Sequence, residues 1–417
     1  MSVDSTHVLI VLPNLAAGGA QLQGVLLARE LRDSGLKVAI FLTHSDETTK
    51  SNSSVLSGIR TISSSEYRPP QSARELFIQY LLEVSERLGS QRFSNLLKAM
   101  SSRAIFASLG VASSLADSLQ HNLKVAKACR ALRHFLQSEH ISVLISFLPQ
   151  PNLVAVISSD ELVKVIVVER NDFLAQPIGD GIRKAQLMTY NKATIVAANS
   201  ITATNQLTKQ FPDSRVIFIP NYLPPIRSEI RTKIRQKQVL VAGRLEPQKR
   251  PLEVLEAFCA SGKLSSGWRI GFAGSGSLLQ MLEARVSELG VAERVSVLGH
   301  LDAEDVPYGD SLICVINSDY EGSPNVLAEA ICWGAIPLVR RTVVEASEFI
   351  PPDLEGALIF DDFSGLVKRF EMLEVLEAKR DEILDKLQSR YKEVSKRYRL
   401  DRDNLKKTVS AMVENRV

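Results

Sequence analysis

HVLIVLPNL (7–15) is rich in Leu and β-branched residues and lacks polar alternation, the pattern of a strand buried on both faces. It runs into AAGGAQ and then LQGVLLARELRDSG. There Leu22, Val25, Leu26, Leu27 and Leu31 recur at helical spacing, and Gly35 suits the position just past a helix end. KVAIFLTH (37–44) is a second strand. A hairpin joins antiparallel strands, whereas a helical crossover joins parallel ones. Parallel strands need helices over both faces of the sheet. The first 44 residues therefore commit the chain to an α/β fold.

The alternation continues. Residues 46–72 are rich in Ser and Thr and read as loop, and 73–139 reads mostly helical, with LFIQYLLEVSERL and KVAKACRALRHFLQ as the clearest amphipathic segments. Strands return at 141–148, 162–169, 194–199 and 215–221. YLPPIRSEIRTKIRQKQ (222–238) breaks the pattern with a Pro-Pro pair and five cations, as expected of a solvated inter-domain linker. The pattern then restarts with VLVAGR, a helix opened by Pro251, WRIGFAG, a helix closed by Gly290, RVSVLGH, LICVINS and IPLVR. The tail 371–417 is charged and helical. A chain of 417 residues is too long for one ordinary core. Two successive doubly wound domains are expected, at 1–222 and 223–390, followed by a helical tail at 391–417 that packs back on the first.

Composition excludes several classes. The four cysteines lack a C-x-x-C pair, which argues against structural zinc and a disulfide framework and suits a reducing compartment. A net charge of +3 gives no case for a nucleic-acid partner. No apolar run is long enough to span a membrane, and the N-terminus reads as a strand, not a signal peptide. A cytoplasmic location is expected. Peripheral contact at the inner face of a membrane remains compatible, through the 73–139 helices and the basic linker.

In open α/β sheets ligands bind beyond the carboxyl ends of the strands. Four groups lie there. Gly18 and Gly19 sit between the first strand and helix, where bare backbone suits a phosphate or a tight turn equally. In GRLEPQKRP (243–251), Arg244 and Lys249 could neutralise a diphosphate or merely be solvated. AGSGSL (273–278) places Gly274 after a strand but lacks the third glycine of a dinucleotide turn. In EGSPNVLAEAICWGA (321–335), Ser323 is the expected N-cap and Pro324 the first helical residue. The amides of Asn325, Val326 and Leu327 would then be orphan donors at a positive helix end. Glu321 and Glu329 flank that end, suited either to sugar hydroxyls or to structural roles. Phosphate donors, two cations and two carboxylates together suit a nucleotide-sugar.

The stretches GGAQ, ERND (169–172), IPN (219–221), GRLEPQK, AGSGSL and EGSPNVLAEAICWGAIPLV, in this order, resemble the retaining GT-B glycosyltransferases of glycosyltransferase family 4. The likeness covers most of the chain outside 46–135, and the E-x7-E stretch is its most specific part. It implies two Rossmann-like parallel-sheet domains facing a central cleft. The chemistry would be transfer of a hexose from a nucleotide-sugar, commonly UDP-linked, with retained anomeric configuration and no metal. The acceptor would be a glycan or lipid-linked molecule of surface polysaccharide biosynthesis. By the same likeness Arg244 and Lys249 would bind the diphosphate and Glu321 the donor sugar. Glu329 would take the ribose, and Asn325, Val326, Leu327, Gly18, Gly19 and Gly274 would hold phosphate and sugar. ISFLPQP lacks the histidine many relatives carry there, and the six histidines show no metal-ligand spacing. Asp401-Arg402-Asp403 copies a metal motif of another fold but lies in the helical tail. The competing readings are a non-catalytic GT-B scaffold of a glycan-assembly complex and a GT-B epimerase or phosphorylase.

Overall fold

A computed structural model describes residues 7–15, 18–44, 56, 58–66, 113–227 and 235–414. The chain divides into two units, and the second takes residues 200–202 and 220–401.

The first unit holds a seven-stranded parallel sheet. Its elements are β1 (Val8–Leu12), α1 (Gly19–Asp33), β2 (Val38–Leu42), β3 (Arg60–Ser63), α2 (Ser113–Ser138), β4 (Val143–Phe147), α3 (Pro149–Ser158), β5 (Lys164–Glu169), α4 (Asp180–Thr189), β6 (Ile195–Ala198), α5 (Ile201–Gln210) and β7 (Val216–Phe218). The strand order β3-β2-β1-β4-β5-β6-β7 reverses direction between β1 and β4. β1 is wholly buried, as its unbroken apolar run requires. β3 falls within the stretch read as loop. Arg60 and Thr61 are exposed, and among the described residues the strand pairs only with β2, so neither periodicity nor hydrophobicity marks it. Of the 73–139 helical stretch, residues 73–112 lie outside the described residues.

The first two residues of ERND, Glu169 and Arg170, prove to be buried, and Asn171 and Asp172 are half-buried. Glu169 ends β5 and is sealed beneath α3 and α4. Its Oε1 accepts from the Tyr190 hydroxyl, Gln186 Nε2 at 2.8 Å and Asn152 Nδ2 at 3.3 Å. Burial pushes its carboxyl above the usual range, and these donors oppose the push.

The second unit holds a six-stranded parallel sheet. Its elements are β8 (Gln236–Ala242), α6 (Pro251–Ala260), β9 (Arg269–Ala273), α7 (Leu279–Glu288), β10 (Val295–Gly299), β11 (Ser311–Ile316), α8 (Asn325–Cys332), β12 (Ile336–Arg340), α9 (Ala346–Phe349), α10 (Pro352–Leu358), β13 (Ile359–Phe360), α11 (Phe363–Glu371), α12 (Leu373–Ala378) and α13 (Arg380–Glu414). The order is β10-β9-β8-β11-β12-β13, with its reversal between β8 and β11. β8 starts inside the stretch read as linker, because its first residues are polar, with Gln236 exposed and Lys237 and Gln238 half-buried. Residues 228–234 of that linker, with Arg231 and Lys233, lie outside the described residues. Gly290, at φ 65, closes α7 as expected, since the Val291 amide must reach back to the Val286 carbonyl.

Leu384, Leu387, Tyr391, Val394 and Tyr398 form the buried stripe of α13 in the second unit, where Tyr391 and Tyr398 meet Phe349. Residues from Arg402 on belong with the first unit. There Glu30 on α1 receives Lys406 at 3.2 Å and Arg402 at 3.7 Å. Asp403 pairs with Lys406 at 2.6 Å, so this D-x-D acid serves the helix.

Candidate donor site

The loops after β8 and β11 leave the second sheet at its reversal point, where open α/β sheets bind ligands. The two loops are laced together. The Asp319 amide donates to the Gln248 carbonyl at 2.9 Å, and Gln248 Nε2 donates to the Tyr320 carbonyl at 2.6 Å. Arg250, left-handed at φ 48, joins Asp319 at 2.5 Å and Glu253 at 2.6 Å. Glu253 also accepts from Arg340 at 2.8 Å, and Arg340 reaches Asn317 at 3.1 Å. A left-handed non-glycine costs about 1–2 kcal/mol and persists where its surroundings over-determine it, as this ion-pair chain does.

This lacing brings Lys249 and Glu321 into direct contact, with the ammonium donating to Oε1. Their side chains are only 21% and 10% exposed. The two residues expected to divide diphosphate and sugar are thus one another's partners. Arg244 extends from the same loop and is exposed. It lies near enough to Tyr320 to oppose the upward push that burial gives that phenol.

Helix α8 starts one residue later than expected. Pro324, extended at φ −72 and ψ 118, is the N-cap, and Asn325 is the first helical residue. A proline cap offers no side-chain acceptor, so the helix end carries no side-chain cap bond. Leu327 is not an orphan donor, because its amide bonds to the Pro324 carbonyl at 3.2 Å. Of the three amides expected as orphan donors, that of Leu327 is therefore taken within the helix. Sequence reasoning missed the brace for this end. Asn221, buried at the end of IPN, donates to the Ser323 carbonyl at 2.9 Å and to Asn325 Oδ1 at 2.7 Å.

Glu329 lies one turn farther along α8. The Tyr308 hydroxyl donates to its Oε2 at 2.6 Å. Burial raises its carboxyl above the usual range and this hydrogen bond lowers it.

The glycines separate by role. Gly18 is the N-cap of α1 and Gly19 its first residue, both in the first unit. A Cβ on Gly18 would lie 2.4 Å from Gln21 Oε1, so the Gln21 side chain folds over it. Gly274 touches protein: a Cβ there would lie 1.8 Å from the Gly243 carbonyl oxygen. The loops at 243–249 and 273–278 pack backbone to backbone, with the Leu245 amide on the Ser275 carbonyl at 2.8 Å and Ser277 Oγ on Glu246 at 2.6 Å. Gly274→Ala should cost on the order of 1–3 kcal/mol by overpacking and should dislodge Arg244 and Lys249 with their loop. Thermal denaturation checks this, and an unchanged Tm would refute it.

Among the described residues, no group of three or more His, Cys, Asp or Glu side chains is placed to hold a metal ion. No described helix is long and apolar enough to cross a membrane.

Residues 225–385, the region that contains this site, match the family model for glycosyl transferases group 1. A Campylobacter jejuni protein is 24% identical over 283 residues, spanning 66% of this chain and 77% of its own. It is named as the GalNAc-α-(1→4)-GalNAc-α-(1→3)-diNAcBac-PP-undecaprenol α-1,4-N-acetyl-D-galactosaminyltransferase. Among solved structures, a mutant of S. aureus TarM, in complex with fondaparinux, α-GlcNAc-glycerol and UDP, superposes with a TM-score of 0.71 at 12% identity. It covers 96% of this chain and 99% of that one. Anabaena HepE, in complex with UDP and glucose, gives 0.67 at 13%, over 97% and 100%. The two Rossmann-like sheets are those of the GT-B fold, and the chain is a glycosyltransferase.

Proposed function

We propose that this GT-B glycosyltransferase moves a hexose from a UDP-linked donor to a glycan or lipid-linked acceptor in surface polysaccharide biosynthesis, retaining the anomeric configuration in the manner of family 4. The observation that carries the reading is the lacing of the β8 and β11 loops. It gathers Lys249, Glu321 and the start of α8, with Arg244 on the same loop as Lys249, beyond the carboxyl ends of the two central strands of the second sheet, with Glu329 a turn behind. Arg244 and Lys249 supply the charge a diphosphate needs, by a forked contact and a point charge respectively. Amides at the start of α8 add donors at the positive end of a helix. Glu321 offers an acceptor for sugar hydroxyls and Glu329 one for the ribose. The names of the relatives support UDP and a lipid-linked or glycan acceptor.

In the reaction the bond from the anomeric carbon to the diphosphate breaks and a bond to the acceptor oxygen forms on the same face. The acceptor proton passes to the leaving phosphate oxygen, and the nucleoside diphosphate departs. Lys249 and Arg244 stabilise the charge that develops on that leaving group, where fixed donors lower the barrier most. No metal is assigned to this step. Gly274 is proposed only to shape backbone at the donor phosphates, and Gly18 and Gly19 to shape the turn into α1 within the first unit. We assign acceptor choice to the first unit and a cytoplasmic place to the enzyme, with peripheral membrane contact while it works on lipid-linked molecules.

A thermal-shift panel of nucleotide-sugars and nucleoside diphosphates tests the reading. A true ligand at a hundred times its Kd should stabilise the protein by about 2.7 kcal/mol. UDP and one UDP-sugar should raise Tm, and transfer should yield product of unchanged anomeric configuration with EDTA present. A flat panel together with no transfer would leave the non-catalytic scaffold as the better reading.

A further inference from the structure

Tyr308 is 2% exposed, in the short turn Pro307–Gly309 that precedes β11. It packs in an apolar cluster with Leu240, Ala273, Cys314, Ala330 and Ala335. Its ring is therefore fixed, and its hydroxyl reaches Glu329 Oε2 at 2.6 Å. The spacing between the two residues is set by a third. Arg235 Nη1 donates to the Tyr308 carbonyl at 2.6 Å and to the Ser311 carbonyl at 2.8 Å, and its Nη2 donates to the Trp333 carbonyl just past the end of α8. One planar guanidinium thus clamps the turn that carries Tyr308 to the helix that carries Glu329. No described residue donates to Glu329 Oε1, and that oxygen is not sealed from solvent without a partner.

We propose that Tyr308 is a positioning residue that holds Glu329 oriented for the ribose hydroxyls of the donor nucleotide, and so sets the preference for ribo- over 2′-deoxyribonucleotides. The inference rests on the assignment of Glu329 to the ribose. An ionised carboxylate has about four lone-pair sites, so one taken by a tyrosine leaves room for a sugar hydroxyl. A carboxylate on an apolar wall, without that anchor, can swing away or take a proton. The Tyr308 hydrogen bond opposes the upward push of burial on Glu329. The other titratable groups coupled to Glu329 are Cys314, Cys332 and Tyr391, all held high by burial and neutral near neutrality. Among the described residues, no other side chain hydrogen-bonds the Glu329 carboxylate.

The experiment compares binding of UDP and GDP with binding of their 2′-deoxy forms, in the wild type, Tyr308→Phe and Glu329→Ala, across pH. A site built to hydrogen-bond a hydroxyl rejects the analogue lacking it, here expected at roughly tenfold or more. Glu329→Ala should erase that preference. Tyr308→Phe should cut it to within about threefold, and should move the acid limb of ribonucleotide binding to higher pH, since the bond that favours the ionised carboxyl is gone. A tyrosine that merely fills the core would weaken ribo and deoxy forms alike and leave the acid limb in place. If Tyr308→Phe keeps the wild-type preference while Glu329→Ala erases it, the positioning role is overturned and the ribose assignment stands. If Glu329→Ala also keeps it, if the wild type shows none, or if neither nucleotide binds, the ribose assignment fails and this inference with it.

Discussion

Lys249→Ala is expected to reduce transfer by about 10²–10³-fold in kcat/KM, the loss typical of removing one preorganised donor from developing negative charge. The side chain has no slack to be replaced by a neighbour. It ends the short turn Pro247–Lys249, and the residue after it is the left-handed Arg250, held by Asp319 and Glu253. Arg244 stands on the same loop, exposed, and cannot reproduce a cation placed against Glu321. The variant also strands Glu321, 10% exposed, without its counter-charge. Removing one partner of a mostly buried pair is destabilising, here on the order of 1–3 kcal/mol. Steady-state kinetics and a melting curve on one preparation separate the two effects. UDP affinity should fall with transfer, because the charge is used in ground state and transition state alike. Full activity at unchanged Tm would remove Lys249 from the site.

The fold was legible where burial makes sequence monotonous. β1 and β12 are nearly continuous apolar runs, and the strand–helix alternation around them leaves one class of fold. It failed at β3, whose exposed first residues carry no such pattern. The candidate site could be named in sequence only as residue types at strand ends, and its wiring could not. Lys249 and Glu321 are 72 residues apart, and Asn221 and Asn325 are 104 apart. Nothing in a single sequence says that such pairs meet. The glycines show the same limit from the other side. Gly274 follows a strand as a ligand-binding glycine would, and the close approach it permits is to the Gly243 carbonyl. Tyr308 gave no signal at all, because a tyrosine in a short turn looks like any aromatic that fills a core.

Glu321→Ala should separate the sugar from the diphosphate. Transfer is expected to fall about 10²–10³-fold, as for loss of an interaction that matters at the reacting sugar. UDP affinity should hold or rise. Glu321 holds the Lys249 ammonium before any donor arrives, so an incoming diphosphate must compete with a carboxylate for the same cation. Without that carboxylate the cation is free for phosphate, and the repulsion between two anions at one site is gone. The remaining lacing does not depend on the Glu321 side chain, since it runs through Gln248, Asp319, Tyr320 and Arg250. The loop should therefore keep its place. Titration of UDP beside a transfer assay reads both quantities. A fall in UDP affinity that matches the fall in transfer would show Glu321 to be a scaffold for Lys249, with no contact of its own to the donor sugar.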